Sequence, residues 1–135
     1  MSKINDKILE IEKYLDELDS IIPDNFETYS ANFEKRAACE RYFEKIIEAV
    51  VDLAYLMIKN KNLKIPEQDK ETFEILANEG IITKELETRL KEAKGMRNII
   101  AHQYGDVDDE IVFESITTQL QEDVRFFLRL VKKNL

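Results

Sequence analysis

Four residues in this chain have types and spacing that suit chemistry: Arg97, Asn98, His102 and Tyr104. His102 is the only histidine in 135 residues. An imidazole exchanges protons near neutral pH, because its ordinary pKa is about 6.5. Arginine offers a fixed, permanently charged fork of donors that matches phosphate oxygens. The pair suits phosphodiester cleavage without a metal. In RNA the 2′-hydroxyl is an internal nucleophile. A histidine can take its proton or protonate the leaving oxygen, and an arginine can stabilise the charge that gathers on the pentacoordinate phosphate. Lys91 and Lys94 stand nearby in sequence and are expected to add positive potential.

These residues need a helix to position them. At about 100° per residue, with Arg97 at 0°, Tyr104 falls near about −20°, Ala101 near 40°, Asn98 near 100° and His102 near 140°. Met96, Ile99 and Ile100 fall on the other side, between about 200° and 300°. The expected result is a polar strip backed by core. Asn98 and His102 form an i,i+4 pair that can touch, so Asn98 can orient the imidazole. Blander roles compete: a lone histidine near a helix end is commonly a cap or surface residue, a lone arginine a salt bridge, and a tyrosine an amphipathic rim residue. Acid–base cleavage is helped by two proton-transfer groups, and this chain has one histidine. A symmetric homodimer would supply the second, so a composite site at a dimer interface is expected.

The rest of the chain limits the alternatives. Its length suits one domain over residues 1–135 with one sizeable core. Hydrophobic residues make up 44% and charged residues 36%, with only 3 Gly and 2 Pro, which favours an all-α fold. A net charge of −8 argues against broad, non-specific nucleic-acid binding but leaves room for a local cationic site or a basic partner. Cys39 is the single cysteine, so a monomer has no disulfide framework, and a reduced, cytoplasmic setting is expected. No apolar run is long enough for a membrane span, and residues 1–20 are too charged for a secretory signal. No Cys/His pair or acidic cluster has metal-site spacing, and there is no phosphate loop or nucleotide-binding glycine fingerprint. Neither metal nor cofactor is expected.

Apolar periodicity predicts four main helices and one short one, packed as an antiparallel bundle. The first runs over 4–22 along the seam Ile4, Ile8, Ile11, Leu15, Leu18 and Ile22, and stops at Pro23. The second, over 29–60, carries two adjacent stripes, Phe43-Ile47-Val50-Ala54-Met57 and Tyr42-Ile46-Ala49-Leu53-Leu56. So wide an apolar face places it centrally. Its charged segment reads as solvated surface; the sharper reading has Arg36, Glu40 or Arg41 line the site or a partner surface. Residues 59–68 form a basic loop, which reads as solvated although it could touch RNA. A short helix over 69–78 ends at Gly80, which suits a left-handed cap. Thr83 caps the next helix, which reaches Tyr104 and is closed by Gly105. Gly95 inside it predicts a close helix contact or a slight kink. Acidic residues from Asp106 to Glu110 open the last helix, which runs to Lys132 and Lys133.

Arg97-Asn98-Ile99-Ile100-Ala101-His102-Gln103-Tyr104 resembles the Arg-Asn-x3-His-x-Tyr motif of the HEPN superfamily, specifically the HepT toxin family (DUF86) of HepT–MntA modules. Chain length, helix order and the Glu40-Arg41 and Asp52-Leu53-Ala54 segments are also similar to that family. The resemblance covers essentially the whole chain. It implies a metal-independent endoribonuclease toxin acting as a dimer, with Arg97 and His102 as the catalytic pair and Asn98 as the polar residue beside them. It implies a partner, a minimal nucleotidyltransferase antitoxin of the MNT type, that transfers AMP from ATP to Tyr104 and so neutralises the toxin. Two other readings remain at this stage. One is a non-catalytic HEPN subunit that holds the substrate or nucleotide of a nucleotidyltransferase. The other is a purely structural dimerisation bundle.

Overall fold

A computed structural model describes residues 2–102 and 108–135, and every described element is helical. Helix α1 spans Ser2–Ile21, α2 Phe26–Ala31, α3 Phe33–Asn60, α4 Lys70–Asn78 and α5 Lys84–His102. Helix α6 spans Asp109–Glu114, passes through a π-helical turn over Ser115–Gln119, and continues as α7 over Leu120–Lys133. The four long helical stretches and short α4 match the bundle that the sequence predicts. Tyr104 and Gly105, together with the predicted end of their helix, lie outside the described residues.

Helix α3 is central. It packs against α1, α2, α4 and α5, and α7 closes the remaining side against α5 and α1. Both predicted stripes face inward, with only Tyr42 and Leu56 left half-buried. Opposite them Ile4, Ile8, Ile11, Leu15 and Leu18 of α1 are all buried. Each buried Leu or Ile contributes about 1.5–3 kcal/mol by leaving water. This seam is the main reason α1 and α3 stay together.

The segment over 29–60 is not one helix. Asn32 adopts an extended backbone, ends α2, and accepts the Lys35 N–H at 3.0 Å to begin α3. Asn25 does the same for α2, accepting the Thr28 N–H at 2.8 Å. Asparagine side chains satisfy the orphan donors of a helix start, which is why the break falls there. Tyr29 is buried from α2 against Phe113, with ring centroids 5.0 Å apart.

The π turn also departs from the expected single last helix. Thr117 and Thr118 hydroxyls donate back to the carbonyls of Phe113 and Glu114 at 2.8 Å each, competing with the regular backbone ladder. The predicted caps hold elsewhere. Gly80 has φ 76°, and the Thr83 hydroxyl accepts the Leu86 N–H at 3.0 Å to start α5. Gly95 does not make the close contact expected of it. It is exposed, a methyl group there would meet nothing within 4 Å, and α5 runs unbroken through it.

Candidate functional site

The site residues sit on the last turns of α5, where the apolar pattern of the helix thins. Leu86 and Leu90 are buried; beyond them only Ile100 is, while Met96 is half-buried and Ile99 is 41% exposed. The strip is therefore backed by less core than its periodicity suggests.

Arg97 turns towards α3. One terminal nitrogen pairs with Glu48 Oε1, and the other donates to Asn98 Oδ1 at 3.3 Å. Its Nε is buried and has no hydrogen-bond partner among the described residues. Lys94 donates to the same Asn98 oxygen at 3.2 Å and lies 3.8 Å from Asp69. Asn98 is thus polarised by two cations, and it does not hold His102, as its i,i+4 spacing had suggested. The amide oxygen follows the stronger, charge-assisted donors.

Arg97 and Lys94 line a small polar pocket of about 140 Å³ with Glu48, Asp52, Tyr55 and Asp69. The Tyr55 hydroxyl donates to Asp69 at 3.2 Å; burial first, and then that bond, push its phenol above the ordinary range. Asp52 is drawn to Lys7 of α1 at 3.6 Å. The carboxylates of α3 and of the α4 start thus hold the two cations of α5 in place.

His102 ends α5 and is exposed. Five residues from Arg97, it points about 140° round the helix, and no contact joins the two groups. One chain therefore presents a guanidinium and an imidazole on adjoining faces and does not bring them together. Tyr104 lies outside the described residues.

Not every expected neighbour takes part. Lys91 is engaged by Glu74 and by Glu87 at 3.1 Å, and its bond to Glu74 raises its pKa. Its charge is spent there, so Lys94 is the lysine that serves the strip. Arg36 donates to the Ser30 carbonyl at the end of α2 and lies 3.6 Å from Asp109 at the start of α6. It braces two helix ends. Arg41 pairs with Glu44 at 3.4 Å on the surface. None of Arg36, Glu40 and Arg41 touches Arg97. Sequence reading missed Glu48, Tyr55 and Asp69. Only the spacing of Glu48, Asp52 and Tyr55 along one helical face hinted that they would act together.

A larger cavity, about 290 Å³, opens between α5 and the α6–α7 stretch, lined by Phe43, Leu90, Met96, Ile111 and Leu120 among others. Arg89, Glu92, Glu114 and Asp123 also line it, and Arg97 and His102 do not. Among the described residues no group of three or more His, Cys, Asp or Glu could hold a metal ion. No helix among them is long and apolar enough to cross a membrane.

The sequence model of the family "Ribonuclease HepT-like" matches residues 11–130. The chain is 26% identical over 129 residues to the mRNA nuclease HepT of Shewanella oneidensis, covering 96% of each. It is 31% identical over 113 residues to the tRNA nuclease HepT of Aphanizomenon flos-aquae, covering 83% of this chain and 76% of that one. A tri-AMPylated Shewanella oneidensis HEPN toxin, solved in complex with MNT antitoxin, superposes with a TM-score of 0.89 at 25% identity, over 96% of both chains. The cytosolic protein YutE from Bacillus subtilis, of unknown function, shares the fold with a TM-score of 0.82 at 21% identity, over 99% of this chain and 89% of that one.

Proposed function

Because the chain belongs to the HepT-like ribonuclease family, we propose that Arg97 and His102 are the groups with which it cuts RNA, and that two copies pair to complete the site. The protein is an endoribonuclease of the HEPN–MNT toxin–antitoxin type. The observation that carries the proposal is the state of Arg97. Its far edge is anchored on Glu48 and its near edge is turned towards Asn98, the residue one helical turn before the exposed imidazole.

Arg97 and Asn98 grip the scissile phosphate, and His102 handles the proton. The 2′-oxygen attacks phosphorus as its proton passes to a base. The bond to the 5′-oxygen breaks as that oxygen gains a proton. The products are a 2′,3′-cyclic phosphate and a free 5′-hydroxyl, and no metal is needed. One imidazole cannot serve both ends of this in-line displacement at once. The second copy's His102 supplies the other proton-transfer group across a two-fold axis. Exposed Ile99, beside Asn98 on α5, gives that pairing apolar surface next to the site. The two relatives act on different RNAs, one on mRNA and one on tRNA, so the substrate class is RNA.

The partner is a nucleotidyltransferase antitoxin of the MNT type, which transfers AMP from ATP to Tyr104. Two residues along the chain from His102, the added anionic phosphate competes with substrate for Arg97.

The test is RNA cleavage in EDTA by wild type and His102→Ala. Wild type cuts, and the variant loses at least about 10²-fold while melting as wild type does. Tight nucleotide binding without cleavage by wild type would instead indicate a non-catalytic binding subunit. Tyr104→Phe is expected to escape neutralisation by antitoxin and ATP; full inhibition of that variant would place the modification elsewhere.

A further inference from the structure

We propose that the connection between α3 and α4, with Lys59, Lys61 and Lys64, is a landing surface for the single-stranded RNA that flanks the scissile bond; this rests on the ribonuclease reading above. In a chain of net charge −8, most site-side cations are held by carboxylates. These three lysines are exposed, and none forms an ion pair among the described residues.

Their placement connects them to Arg97 by two routes. Along α3, Glu48, Asp52, Tyr55 and Lys59 fall within about 60° of one another, so Lys59 extends the stripe that walls the Arg97 pocket, about 6 Å beyond Tyr55 and about 16 Å from Glu48 along the helix axis. Across the fold, the far end of the connection is tied to the same pocket. Asp69 accepts from Tyr55 at 3.2 Å and lies 3.8 Å from Lys94, which in turn donates to Asn98. Of the acidic residues of this limb, Asp69 holds Tyr55 and Lys94 and Glu71 accepts the Glu67 N–H at 3.3 Å, which leaves the exposed Glu67 carboxylate as the one set against three lysines.

The connection also has a fixed course. Asn62 takes the left-handed conformation, φ 56°, and the Leu63 N–H returns to the Ile58 carbonyl at 2.9 Å. Lys59 stands on the last turn of α3, Leu63 packs on the core and Pro66 is buried, so the backbone that carries the lysines is pinned while Lys59, Lys61 and Lys64 face water. A rigid row of unpaired cations leading to a phosphate-gripping arginine suits a polyanion backbone. It reads charge and not sequence. The competing role is local, because cations at the end of α3 also offset the helix dipole.

The experiment compares the full chain with K59Q/K61Q/K64Q and the charge-keeping K59R/K61R/K64R, using a single-stranded RNA oligonucleotide of mixed sequence. Cleavage gives kcat and KM; salt titration in a His102→Ala background gives binding. The neutral triple variant should raise KM about tenfold or more with kcat within about twofold. Its salt slope should fall by about 2, at roughly 0.7 per lost phosphate contact on a single strand. The arginine variant should restore both. An unchanged KM and slope overturns the proposal, and a lowered melting temperature with an unchanged slope assigns the lysines to the helix end alone. Weakened antitoxin association with intact RNA kinetics makes the connection a protein contact and overturns it equally. A wild-type chain that binds RNA with the full slope but never cuts it supports the surface and faults the catalytic reading, so the two fail separately.

Discussion

The α1–α3 seam and the last turns of α5 are both helical surfaces of one chain, and they are built to opposite specifications. In the seam, Ile11, Leu15 and Leu18 meet Ile46, Val50 and Leu53 with no solvent exposure at all. On α5 beyond Leu90, a glycine is exposed, an isoleucine is 41% exposed, and the ordered groups are an arginine and a lysine held by carboxylates from outside α5, with an asparagine that accepts from both. One region holds the fold and does no chemistry. The other contributes little to the core and keeps polar groups ready for an anion. A helix can serve as a ledge only where its apolar stripe is allowed to fade, because a fully packed stripe buries the groups that must meet a substrate.

Mutation should separate the two regions sharply. The largest effect on stability belongs to the seam. Leu53→Ala should cost about 2–5 kcal/mol in chemical denaturation by leaving a cavity, while kcat per folded molecule stays put. A loss of activity without loss of stability in that variant would erase the contrast. Arg97→Lys should do the reverse. It keeps the charge but loses the fork that spans Glu48 and Asn98, so RNA cleavage should fall about 100-fold. The melting temperature should move little, since a partly exposed pair contributes about 0–1 kcal/mol.

The smallest effect lies outside both regions, at Glu40 near the start of α3. Burial first, and then the charge of Asp109, raise its pKa above the ordinary glutamate value of 4.5. The folded chain therefore holds this proton more tightly than the unfolded one. Its contribution to stability is complete below about pH 4.5 and is lost as pH rises through the raised value, so the ionised carboxylate is a cost at neutral pH. Glu40→Gln should stabilise the protein at pH 7, by less than about 1 kcal/mol because the group is partly solvated. The gain should shrink as pH falls towards 4.5. A gain that grew on acidification would reverse the assignment. Cys39, buried with its thiol pushed up to about 11, should stay unreactive to thiol reagents at neutral pH until the chain unfolds.

The sequence by itself determined the things that act over one or two turns. These are the apolar seams of α1 and α3, the caps at Thr83 and Gly80, and the presence of an arginine, an asparagine and a histidine on one short helical strip. Periodicity and capping are local physics, so they can be read from neighbours three and four residues apart. Only the tertiary structure decided what crosses between helices. It chose Glu48, 49 residues away, as the anchor of Arg97. It set Lys91 on Glu74 and left Lys94 to Asn98, and it packed the Tyr29 ring at a tilt against Phe113. A charged side chain has several carboxylates within reach of its sequence. Which one it meets depends on how whole helices dock, and that is settled by the core they bury together.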